Sequence, residues 1–297
     1  MRQPPPARAA LGQTALRRLT GSFAFSLRRS GLALLMALAA FGFDPCDASA
    51  ADRIRIGGTG SALGTMRLLA EEFGKRNPGV ELTIEPSLGS GGGVRAVLDG
   101  AIEFAVTSRP LNDRERKLGA VAVEYARTPF VFAVSRASTV TSITAGELAA
   151  IYAGTLTTWP DGTPIRIILR PEIDIDTDII KSISPEVRRG TLAAITRAGT
   201  RFAVTDQDAA TDIERIPGAI GPTTLAVIVS ELRPLRALEL DGNQPSTINA
   251  ASGQYPYFKR LYMVTGAQPG TAVERFKTFV QSAEGQATLK KNGSWIP

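Results

Sequence analysis

The sequence predicts an α/β fold in two lobes, and three observations carry that expectation. Strand-like and helix-like segments alternate from Arg53 onward. The alternation starts afresh near Thr144. Three Gly/Ser/Thr-rich segments each lie between the end of a strand and the start of a helix, the place where a parallel sheet turns into its covering helices.

The elements follow in order. Arg53 to Ile56 reads as a short strand that ends in Gly57-Gly58-Thr59-Gly60-Ser61. Leu63, Met66, Ala70 and Phe73 then recur on one helical face, and the pattern stops at Asn77-Pro78-Gly79. Val80 to Pro86 is the next strand, followed by a second loop, Ser87 to Gly93. A short helix to Gly100 leads to the strand Phe104 to Thr107. This order predicts a parallel sheet with helices on both faces.

Val121 to Ser135 is a long β-rich stretch interrupted by Pro129. Thr144-Ala-Gly-Glu147 has the spacing of a capping box and opens a helix to about Tyr152. Ile165 to Leu169 is a strand ending at Arg170-Pro171, and a second αβ region continues to Gly221. Arg236 to Leu240 and Tyr257 to Val264 are extended, and two amphipathic helices, Thr271 to Ser282 and Gly285 to Lys291, close the chain.

The N-terminus is of another kind. Six arginines and no acidic residue precede Asp44, and Gly31 to Phe43 is an apolar run of 13 residues. A bilayer span needs about 20, so the run is too short to cross. With Ala48-Ser49-Ala50 behind it, residues 1–50 read as a secretory signal peptide cleaved between Ala50 and Ala51, and the protein as periplasmic. A disordered or organellar leader is the alternative. Two Arg-Arg pairs leave room for twin-arginine export, although the residues after them match that signal poorly. The single cysteine, Cys46, lies in this leader behind Phe43-Asp44-Pro45, which is no lipoprotein box. The remaining 247 residues hold no cysteine and are enough to bury a core without disulfides.

The leader also distorts the charge. It contains six of the 34 basic and two of the 28 acidic residues, so the rest of the chain carries only +2. That remainder has no basic block, which argues against nucleic acid as a partner.

The chemistry is narrowed by what the sequence lacks. It has no histidine, which removes Ser-His-Asp and Cys-His catalysis and histidine metal ligation. It has no Ser-x-x-Lys, dinucleotide fingerprint or P-loop. No cofactor is implied. Asp174, Asp176 and Asp178 alternate like the start of a calcium loop, but Ile179 and Pro185 stand where glycine and glutamate would be needed. The other reading of that stretch is an acidic loop in which Asp176 or Thr177 caps a helix. The three junctions remain: Thr59-Gly60-Ser61, Ser90-Gly91-Gly92-Gly93 and Thr107-Ser108-Arg109. Glycine admits close approach to backbone, and a helix N-terminus offers unpaired amides and a favourable dipole. Three such junctions at one sheet edge point to an anion site outside the carboxyl ends of the strands.

Ile54 to Ser61, Ser87 to Arg95, Phe104 to Leu111, Gly218 to Gly221 and Ser282 to Gln286 resemble the phosphate-binding-protein family of ABC importers. The resemblance implies two α/β lobes joined by a hinge of crossing strands, of the type II periplasmic-binding-protein kind. It implies a periplasmic component that binds phosphate or a related small oxyanion between the lobes and passes it to a membrane permease. It further implies a component that makes no bond, acts as a monomer and is not an enzyme. A periplasmic sensor or adaptor for a membrane signalling partner is the alternative. Lobe one is expected over 52–131 and 262–297 and lobe two over 132–261, with crossings near Pro129 and Tyr257. Matched by position, Thr59, Gly60 and Ser61 form the first ligand loop, Ser90 and Gly91 the second, and Thr107 the third. Two departures stand out. Ser108 and Arg109 follow Thr107 where many phosphate binders have an aspartate. Arg170 is followed by Pro-Glu-Ile-Asp-Ile up to Asp176-Thr177, not by Gly-Ser-Gly-Thr. Arg109 and Arg170 are therefore expected to clamp the anion from the two lobes, with Asp176 and Thr177 beside it. Asp176 facing the cleft would favour a protonated oxyanion; facing solvent, it would not.

Overall fold

The computed structural model describes residues 52–297. The expected signal peptide, its cleavage site and Cys46 lie outside them.

The first segment runs β1 (Asp52–Gly58), α1 (Gly60–Arg76), β2 (Val80–Ser87), α2 (Gly89–Leu98), β3 (Phe104–Thr107) and α3 (Asp113–Lys117). Both β2 and β3 pair with β1 in parallel. Leu63, Met66, Leu69, Ala70 and Phe73 recur every three or four residues along α1, so they share a face, and all are buried. The chain continues through β4 (Val121–Ser135), β5 (Ser142–Ile143), α4 (Ala145–Ala153), β6 (Arg166–Leu169), α5 (Ile175–Ser182), α6 (Pro185–Thr196), β7 (Arg201–Phe202), α7 (Asp206–Arg215) and β8 (Ala219–Thr224). It ends with α8 (Leu225–Ser230), β9 (Leu235–Ala237), β10 (Glu239–Leu240), α9 (Thr247–Ser252), β11 (Phe258–Thr265), α10 (Thr271–Gln281) and α11 (Ala283–Lys291).

One sheet joins the two lobes in the order β2-β1-β3-β11-β4-β8-β6-β7, with β9 also on β4. The parallel pairing expected from the order of the first segment holds for β1, β2 and β3. The sheet as a whole is mixed, because β11 runs antiparallel to β3 and β4, and β4 antiparallel to β8. β4 changes partner midway: it pairs with β11 up to Pro129 and with β8 from Phe130. Pro129 does not interrupt it. The Phe130 amide donates to the Tyr257 carbonyl at 3.0 Å, so the ladder passes the proline without using its missing N–H. Arg236 to Leu240, by contrast, is not one extended element. β9 pairs with β4, while β10 pairs with β5 in a separate two-stranded sheet.

Each lobe buries apolar side chains on both sheet faces. In the first, α1, α10 and α11 cover one face, where Phe276 meets Phe73 and Phe104 edge-on at 5.3 Å each. Val94 and Val97 of α2 pack on the other face with Ala105 and Val264. In the second, Phe130, Phe132, Leu148, Tyr152, Ile180 and Val187 form one cluster, and Ala209, Ile213 and Val227 lie in the other. The Thr144–Glu147 capping box forms as its spacing predicts. Among the described residues, no helix is long and apolar enough to cross a membrane.

Candidate ligand-binding cleft

Three strand–helix junctions build one wall of a cleft. Strand β1 ends at Gly58 with φ +124°, and a Cβ there would lie 2.0 Å from the Val106 carbonyl oxygen. Only glycine brings β1 so close to β3. The Thr59 amide then donates to that same oxygen at 2.8 Å. The Thr59 hydroxyl donates to Ser108 Oγ at 3.4 Å, and Ser90 Oγ lies 3.1 Å from Ser108 Oγ and accepts from the Ser108 amide at 3.0 Å. Three hydroxyls from three junctions thus touch in series.

The second glycine-rich segment is not a loop. Helix α2 starts at Gly89, so Ser90 to Gly93 are already helical. The reason is packing: a Cβ on Gly93 would sit 2.7 Å from the Gly58 Cα, so the glycines let the helix lie directly on β1. No side chain caps α2, which leaves its first-turn amides to the cleft. Arg109 lies beside this turn, 3.7 Å from where a Gly91 Cβ would stand. Its guanidinium makes two bonds to the Glu115 carboxylate, at 2.9 and 2.7 Å. That bidentate contact raises the Arg109 pKa and holds Glu115 below the usual carboxylate range. Thr107 turns away from the cleft and donates to the Arg109 carbonyl at 2.8 Å.

The floor is a buried charge cluster. Arg170, at the end of β6, donates to the Ala203 carbonyl at 2.8 Å and to Asp174 at 2.7 Å, and its Nε lies 3.4 Å from Asp176. Lys259 on β11 donates to Ser61 Oγ at 2.8 Å and to Asp206 at 3.0 Å, and it also contacts Asp176. Ser61 in turn donates to Asp206 at 2.6 Å. Two cations therefore face three carboxylates, Asp174, Asp176 and Asp206. Burial disfavours every charge here. For Asp206 the adjacent Lys259 and Arg170 outweigh burial and hold its pKa well below normal. For Lys259, burial is outweighed by Asp176 and Asp206, and its pKa rises. Asp176 is left in excess: burial, with Asp174 and Asp206 nearby, pushes it up to about 6 despite Lys259 and Arg170.

Hydroxyl wall and charged floor border a partly open cavity of about 400 Å³. Thr59, Ser90, Gly91, Ser108, Arg109 and Arg170 all line it. Gly60, Ser61, Thr107, Asp176 and Thr177 do not. Gly60 and Ser61 lie in the first turn of α1, where the Gly60 carbonyl accepts from Gln207 at 3.0 Å. Asp176 faces neither cleft nor solvent; it is fully buried behind the cavity. Thr177 donates to the Arg170 and Pro171 carbonyls and fixes the turn. Neither of these two caps α5. Asp174 does, accepting from the Asp176 amide at 3.0 Å, because it is the residue with extended backbone just before the helix.

Asp206 and Lys259 line the cavity as well, and sequence reasoning missed both. Lys259 had a readable signal. It alternates with Leu261 and Met263 on β11, an inward position for a strand. Asp206 had none. It follows the Thr205 N-cap and reads like any acidic first-turn residue.

Two lobes thus share one sheet and wall a polar cavity between them. The chain belongs to the PBP superfamily, whose domain family matches residues 46–284. It is 33% identical over 138 residues to protein SphX of Synechococcus elongatus, a match that takes in 43% of this chain and 40% of SphX. It is 22% identical over 259 residues to the phosphate-binding protein PstS of Bacillus subtilis, covering 84% of this chain and 81% of PstS. Among solved structures it is similar to a Clostridium perfringens protein described as a phosphate ABC transporter substrate-binding protein and solved with bound phosphate. That match has a TM-score of 0.69 at 20% identity, over 83% of this chain and 100% of the other. A phosphate-binding protein from Stenotrophomonas maltophilia has a TM-score of 0.62 at 14% identity, over 82% and 90%.

Proposed function

We propose that this protein is the periplasmic solute-binding component of an ABC importer, and that it binds phosphate or a related small oxyanion between its lobes. The observation that carries this reading is the convergence of Thr59, Ser90, Ser108, Arg109, Arg170 and the uncapped first turn of α2 on one cavity. Hydroxyls and amides donate to anionic oxygens, and the helix dipole favours negative charge at that end. The two arginines add planar donors that stay ionised. The naming of the Bacillus subtilis relative as phosphate-binding supports the same class of ligand.

Asp174 and Asp206 also line the cavity, and the selectivity first attributed to Asp176 passes to them. A carboxylate accepts a hydrogen bond from a protonated oxyanion and repels one without a proton. Hydrogen phosphate is favoured over sulfate on that ground. Lobe one comprises 52–131 with 262–297, and lobe two 132–261. β4 crosses between the lobes near Pro129, where it changes partner, and ligand contacts present only in the closed form drive closure. No bond is made or broken. The protein acts as a monomer without nucleic acid, is exported by a leader ending at Ala50, and hands its ligand to a membrane permease.

Calorimetry with phosphate and sulfate at pH 6 and pH 8 tests the reading. Phosphate is expected to bind more tightly than sulfate at both values, and Arg109→Ala to weaken it. Absence of binding by either anion would sink the proposal.

A further inference from the structure

We infer that the ligand is an organic oxyanion, a phosphate monoester or phosphonate with a short apolar substituent; this rests on the oxyanion reading above. Size is the first argument. A bare tetrahedral oxyanion fills roughly 100 Å³, on the scale of ~30 Å³ for a water in the liquid. The cavity is about 400 Å³, within the ~300–1,000 Å³ of sites for organic ligands.

The walls are the second argument. Hydroxyl and amide donors come from lobe one alone, from Thr59, Ser90 and Ser108. Lobe two contributes Ile173, Ile175 and Val204 to the same cavity, beside the charged Arg170, Asp174 and Asp206. Ile173 is 95% exposed and Val204 71% exposed. A solitary exposed apolar residue needs no explanation. These two stand on separate segments, one before α5 and one before α7, and meet at one cavity beside a third. Ile173 also sits in a tight turn, closed by the Asp174 amide on the Pro171 carbonyl at 2.9 Å, where small polar residues are the norm. Neither side chain packs into a core cluster. An anion held on the hydroxyl wall leaves them in water. An apolar substituent on that anion extends across the cavity and covers them, which is favourable in proportion to the area removed from water.

Calorimetry on the full-length secreted protein with inorganic phosphate, methylphosphonate and phenylphosphonate tests this. Wild type is expected to bind phenylphosphonate at least tenfold more tightly than phosphate. The double variant Ile173→Ser with Val204→Ser is expected to lose most of that gain and keep its phosphate affinity; circular dichroism checks its fold. Phosphate binding as tightly as either phosphonate overturns the inference and leaves the oxyanion reading standing. So does a phenylphosphonate preference that survives the double variant. If no probe binds at all, both readings fall.

Discussion

The Ser61 hydroxyl on α1 donates to the Asp206 carboxylate on α7 at 2.6 Å, and Lys259 bonds both from β11. These residues come from three distant segments, and the first pair is 145 positions apart. The contact ties the first-lobe helix α1 to the second-lobe helix α7, so it exists only while the lobes are together. Ser61 is engaged by Asp206 and Lys259 and is not among the residues that line the cavity. Ser61→Ala removes a hydrogen bond to a charged group, a loss of about 1.5–3 kcal/mol. Urea unfolding is expected to show that loss, and stopped-flow release of bound phosphate to become faster. Unchanged stability would mean that Lys259 alone satisfies Asp206.

Lys259 is 2% exposed and stands between Asp176 and Asp206. Its replacement by methionine keeps the volume and strands two buried carboxylates. Breaking such a pair from one side costs about 3–5 kcal/mol. Adding Asp176→Asn removes one of the stranded charges, so the double variant is expected to recover part of the loss. Chemical denaturation of both singles and the double measures this coupling. A double variant whose change equals the sum of the two single changes would show that the two side chains act independently.

Two glycines of the cleft separate packing from binding. At Gly58 a Cβ meets the Val106 carbonyl at 2.0 Å, and φ is +124°. Gly58→Ala is expected to cost about 2–6 kcal/mol, from backbone strain and overpacking together. At Gly91 the nearest atom to a Cβ is Arg109 Nη2 at 3.7 Å. Gly91→Ala adds helix propensity, worth up to about 1 kcal/mol, and places a methyl at the cavity wall. Thermal unfolding should move in opposite directions for the two variants, while Gly91→Ala alone weakens ligand binding without unfolding.

The periodic parts of this fold could be read from the sequence, because burial writes itself into spacing. The face of α1 with Leu63, Met66, Ala70 and Phe73, the capping box at Thr144 and the strand from Val121 to Ser135 all appear where the pattern puts them. The places of Thr59, Ser90 and Ser108 were legible for another reason: each lies just past the end of a parallel strand, and chain order alone brings such ends to one edge. What tied Asp206 to Ser61, or Asp176 to Lys259, was not legible. Those contacts join segments 145 and 83 positions apart, the first of them across the two lobes, and no local pattern encodes that. The helical start of α2 was hidden too, because glycine runs read as loops until the closeness of β1 explains them.

Asp176 gives the protein a pH dependence with a definite sign. It is fully buried, with Lys259, Arg170, Asp174, Asp206 and the Tyr152 ring around it. Burial, aided by Asp174 and Asp206, pushes its pKa to about 6, against about 3.9 in an unfolded chain. Between about pH 4 and pH 6 the native state holds a proton that the unfolded state has released. Stability must then fall as pH rises through that window. Two units correspond to a loss on the order of 3 kcal/mol. Asp206 works the other way: its pKa is held low by Lys259 and Arg170, so its contribution is present above about pH 4 and lost below. Together they place the maximum for this cluster at about pH 4. Urea unfolding of the ligand-free protein at pH 4.5 and 6.5 is expected to show a drop of about 1–3 kcal/mol on going up. In Asp176→Asn the drop should vanish, while the loss of stability on acidification below pH 4 remains. A wild type that is flat over this range, or a variant that keeps the slope, would place the titrating proton elsewhere than on Asp176.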